Sequence, residues 1–74
     1  MPSFQDRIYL LVDPSNIDCL NRILEGYEHL GVLSTLDRQR GLTVVLGTTD
    51  TYQDLRHVLD HLPFDILIQS DHFV

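Results

Sequence analysis

The sequence contains no lysine, a single cysteine and no apolar run long enough to cross a bilayer. Each absence removes a class of explanation. Without lysine, the cations are Arg7, Arg22, Arg38, Arg40 and Arg56 alone, against eleven acids, for a formal charge of −6. An acidic surface repels phosphate backbones and anionic lipid heads, so nucleic acid and membrane are poor candidate partners. The acids are spread along the chain rather than gathered in a tail, as on an ordinary solvated surface. Cys19 has no second cysteine to bond within the chain, and one unpaired thiol suits a reducing compartment. A membrane helix needs about 18 or more consecutive apolar residues. Met1 to Asp6 lacks the basic start and apolar run of a secretory signal, so a cytoplasmic protein is expected.

At 74 residues there is room for one domain, spanning 1–74, with one small core. A core of that size is marginal unless a disulfide, a metal or association with another chain supports it. The apolar pattern divides the chain cleanly. Arg7 to Val12 is a compact β-rich run, ended by Asp13-Pro14, which also supplies an N-cap and a favoured first helical residue. Ile17, Leu20, Ile23, Leu24, Tyr27 and Leu30 then recur at helical spacing, with Gly31 predicted as the residue just past the helix. Val32 to Leu36 predicts a weaker, partly exposed strand, and Asp37 to Gly41 a hairpin loop with Gly41 available for positive φ. Leu42 to Leu46 predicts a strong strand. A turn over Gly47 to Thr51 caps a second helix, whose apolar face is Tyr52, Leu55, Val58, Leu59 and Leu62. Pro63 stops it, Phe64 to Ile68 forms the last strand, and Gln69 to Val74 is a short tail.

The order β-α-β-β-α-β, with right-handed crossovers, predicts an α+β ferredoxin-like sandwich: a four-stranded antiparallel sheet with both helices on one face and the first and third strands central. Alternation assigns Ile8, Leu10, Val12, Leu42, Val44, Leu46, Phe64, Ile66 and Ile68 to the helix side. The opposite side receives Arg7, Tyr9, Leu11, Thr43, Val45, Asp65, Leu67 and Gln69. On that outer side Tyr9, Leu11, Val45 and Leu67 form an apolar cluster, the expected interface. Some apolar exposure is also ordinary for such a sheet.

These elements resemble an ACT domain, the small βαββαβ module attached to many amino-acid-regulated enzymes. The resemblance covers roughly residues 7–69. It is carried by the strand ending in Asp13-Pro14, the helix after it, Gly31, the hairpin at Gly41, and the Pro63-Phe64-Asp65-Ile66 lead into the last strand. It implies a non-catalytic sensing or dimerisation module that binds a small ligand near the first strand-to-helix loop, often between copies. Ser15 stands where ACT domains usually carry the glycine that lets a ligand approach the backbone closely. The chain is also similar to short uncharacterised bacterial proteins of about this length, a likeness that implies no activity. The alternative is an interaction subunit that docks a partner protein through its outer sheet face.

Few residues carry chemistry. Asp13, Ser15 and Asn16 cluster at the first helix entrance, where backbone N–H groups could receive a carboxylate and Asp13 an ammonium group; helix capping explains the same residues. Asp50, Asp54, His57 and His61 share one stripe of the second helix, and the i, i+4 histidines have a spacing that can chelate zinc, copper or nickel. A second copy, or Asp71 and His72, would be needed to complete such a site; a polar helix face accounts for the histidines equally. Cys19 has no base beside it in sequence and is read as a small residue at the edge of the packed face. There are no paired cysteines for a metallochaperone, no aromatic residues over 42–46 for stacking RNA bases, and no glycine-rich phosphate loop. No enzyme activity and no cofactor are expected, and a homodimer is.

Overall fold

The computed structural model describes the backbone of residues 6–72 and the side chains of residues 7–69. Four strands, β1 (Asp6–Val12), β2 (Gly31–Asp37), β3 (Leu42–Gly47) and β4 (Ile66–His72), form one antiparallel sheet in the order β2-β3-β1-β4. Helices α1 (Ile17–Glu25) and α2 (Tyr52–Asp60) are the two crossovers, each preceded by a single 3₁₀ turn. This is the ferredoxin-like α+β arrangement, with β1 and β3 central as their apolar content requires.

The helix side holds the core. Ile8, Leu10, Val12, Ile17, Leu20, Leu24, Leu30, Val45, Leu55 and Leu59 are all buried and mutually packed. Each such side chain contributes roughly 1.5–3 kcal/mol relative to exposure. Glycine gives the second helix its seat: Gly31 and Gly47 are partners across the β2–β3 ladder, and a Cβ on Gly47 would stand 2.7 Å from Leu55 Cδ1. The hairpin depends on Gly41, whose φ of 74° lies in the left-handed region. A Cβ there would overlap the Val12 carbonyl oxygen, while the Val12 N–H donates to the Gly41 carbonyl at 2.9 Å.

Element ends differ from expectation in several places. Helix α1 stops at Glu25, because Gly26 and the turn after it take over the chain; Gly31 opens β2 instead of ending the helix. Tyr27 therefore leaves the packed face and is exposed. Strand β4 begins at Ile66 rather than Phe64 and runs through most of the expected tail, because its later residues find β1 as a partner.

The largest correction concerns β3. Its partners across β1 are Ile8 with Val45 and Leu10 with Thr43, so Thr43 and Val45 face the helices. Directly opposed residues of an antiparallel pair share a face. Leu42, Val44 and Leu46 accordingly lie on the outer side, the reverse of the alternation read from sequence. The physical reason is space: Gly47 must face Leu55, and residues two apart on a strand share its face. Thr43 is fully buried, with its hydroxyl 3.5 Å from the Leu10 carbonyl oxygen that can accept its proton.

Candidate functional site

Register turns the outer side into a grid. Leu42, Leu11 and Leu67 stand in one row across β3, β1 and β4, with Asp37 at its β2 end. Ser34, Val44 and Tyr9 form the middle row. Val32, Leu46 and Arg7 form the third. A bulge in β4, where Tyr9 pairs Ser70 but Leu10 pairs Ile68, leaves Gln69 as the extra residue and keeps Leu67 on this side. A second bulge, at Leu36, separates Thr35 opposite Thr43 from Asp37 opposite Leu42.

Tyr9, Leu11 and Leu67 thus meet where the sequence placed them, whereas Val45 does not: it is 0% exposed in the core beneath. Its place is taken by four apolar residues that alternation missed, Val32, Leu42, Val44 and Leu46. No helix packs on this side among the described residues; Val44 is only 4% exposed, while Val32 and Leu67, at 48% and 59%, are open. Among the described side chains the acids keep to the border of the face: Asp37 at one corner, which Arg40 approaches at 3.7 Å, and Asp65 beside Leu67 at another.

The helix entrance is internally satisfied. Asp13 Oδ1 accepts from the Ser15 N–H at 2.9 Å and from the Ser15 hydroxyl at 2.7 Å, and the Asn16 N–H donates to the Asp13 carbonyl at 2.8 Å. The Ser15 hydroxyl, then its N–H, hold the Asp13 carboxyl below its ordinary value. This is an N-cap. Beside it lies a shallow depression of about 350 Å³, bordered by Leu11, Pro14, Arg40, Asp65 and Leu67.

His57 and His61 are brought together, with ring centroids 4.3 Å apart. His61 lies just beyond the last helical residue, and its Nδ1–H donates to the His57 carbonyl at 2.7 Å. Among the described residues no group of three or more His, Cys, Asp or Glu could hold a metal ion. The side chains of Asp71 and His72 lie outside the described residues. Cys19 is exposed on α1 rather than tucked at the edge of the packed face. Among the described residues no helix is long and apolar enough to cross a membrane.

Residues 10–66 match the family described as a domain of unknown function, DUF4911, and the chain belongs to that family. The match runs from the last three residues of β1 to the first of β4 and takes in both helices, β2 and β3. No curated protein and no solved structure matches the chain.

Proposed function

We propose that this protein is a non-catalytic association module whose outer sheet face packs against the same face of a second copy. One observation carries the reading: β3 turns Leu42, Val44 and Leu46 away from the helices and toward a side that no described element covers. Strands spaced about 4.8 Å apart and rising about 3.3 Å per residue make this face roughly 19 by 20 Å. That footprint, about 400 Å² per copy, is at the low end of interface sizes, where association is weak and concentration-dependent. A second copy is the occupant the charges favour. Two chains of formal charge −6 repel, but the face is nearly free of acid, so the repelling groups stay at the periphery when identical faces meet. A two-fold interface of this kind needs only one self-complementary patch. Light scattering tests the reading. The wild type is expected near twice the monomer mass at tens of micromolar, and Leu11→Asp at the monomer mass with an unchanged circular dichroism spectrum. A monomeric wild type overturns it.

A second reading, the small-ligand sensor that the ACT resemblance implies, is supported by the depression beside Asp13. There Arg40 could hold a carboxylate, and Asp65 with Asp13 an ammonium group. A thermal-shift screen with free amino acids tests it, because anything that binds the native state raises its melting temperature. No shift with any of them, at millimolar concentration, removes this reading.

A further inference from the structure

We propose that the open edge of β4, together with the groove between that edge and the end of α2, takes up an extended peptide segment carrying basic residues. This surface adjoins the outer sheet face and shares Leu67 with it; Val32 and Leu46, which belong to that face alone, tell the two proposals apart. Among the described residues β4 pairs with β1 alone, so its other edge presents main-chain donors and acceptors in a row. Another extended backbone supplies partners at the matching spacing.

An edge alone would not select a partner. Here it borders a groove of about 480 Å³, lined on its apolar side by Leu59, Leu62, Phe64, Ile66 and Ile68. The groove exists because α2 ends at Asp60, leaving Leu62, Phe64, Ile66 and Ile68 packed against the core yet only partly covered. Strand addition uses these two components, main-chain hydrogen bonds for affinity and a pocket for every second side chain for specificity. The bulge at Gln69 breaks the regular edge, so the docking stretch is the short run from Ile66 to Ile68.

Charge names the partner's chemistry. Asp60 and Asp65 flank the groove and both are exposed. Arg56 reaches Asp60 at 3.7 Å along the helix, and among the described residues Asp65 has no ion pair. Basic residues at the ends of the incoming segment would meet these carboxylates. A second β4 would bring its own Asp60 and Asp65 to the same rim, which disfavours self-pairing.

The test is selection of a random nonapeptide display library on the full chain, followed by NMR with synthesised winners. The expected winners carry apolar residues two apart with Lys or Arg at the flanks. Bound to the protein, they slow amide exchange in β4. N-methylation of alternate peptide amides lowers affinity at least tenfold, and Asp65→Lys, at an exposed position, lowers it several-fold. The proposal is overturned by any of four results: no enrichment; winners with helical spacing or acidic flanks; equal binding of N-methylated peptide; or contacts mapping to Val32 and Leu46 instead of β4. Protection of β4 that grows with protein concentration, without peptide, assigns the edge to a second copy and also overturns it.

Discussion

Val45 stands directly across the β1–β3 ladder from Ile8, and neither side chain has any exposed surface. That pairing sets the parity of β3 and with it the composition of both faces of the sheet. A shift of one residue would bury Leu42, Val44 and Leu46 under the helices and leave Thr43 and Val45 on the outer face instead.

The pairing is tested by two aspartates. Val45→Asp places an unpaired carboxylate in the core and is expected to unfold the domain, at a cost of several kcal/mol. Val32→Asp, half exposed on the outer face, is expected to keep the circular dichroism spectrum and melting temperature of a folded chain while weakening self-association. If Val45→Asp folds normally, the register described above is wrong.

Gly41 gives a prediction that depends on backbone alone. With φ at 74°, and the Val12 carbonyl where a Cβ would go, Gly41→Ala should destabilise by about 1–3 kcal/mol. Urea denaturation measures this. A wild-type midpoint would mean that the hairpin relaxes without cost.

Asp13 predicts a pH dependence. Its folded carboxyl sits below the ordinary 3.8, so the unfolded chain binds the proton more readily. The stabilisation is therefore fully present above that ordinary value and is lost as pH falls through the lower, folded value. Asp13→Asn, which keeps an acceptor but no charge, should flatten this acid limb in melting temperatures recorded between about pH 2 and 6. An unchanged acid limb would remove Asp13 as its source.

The paired histidines are tested with metal. His61 already donates through Nδ1 to the His57 carbonyl, and no third ligand joins them among the described side chains. Wild type and His57→Ala are expected to show equal changes in melting temperature on adding zinc. A rise in the wild type that the variant lacks would establish a metal site, completed by a second copy or by the chain's end.

Much of this molecule was determined by local chemistry, and could be read from residues. Asp13-Pro14 caps and starts a helix wherever it stands before an apolar stripe, and Gly41 was placed at a positive φ by its position in a five-residue loop. The order of elements and their apolar content put β1 and β3 at the centre of the sheet. The two faces of β3 could not be read in the same way. Leu42-Thr43-Val44-Val45-Leu46 is apolar at four of five positions, so alternation within it favours the wrong set. Only the tertiary structure chose: α2 needs Gly47 beneath Leu55, Gly47 carries Thr43 and Val45 inward with it, and Leu42, Val44 and Leu46 are turned out. The bulges at Leu36 and Gln69 are likewise products of pairing across strands, without a local signal. The outer face, on which the proposed association rests, therefore came from packing of a distant helix against a glycine pair, a long-range condition that spacing along a single strand does not encode.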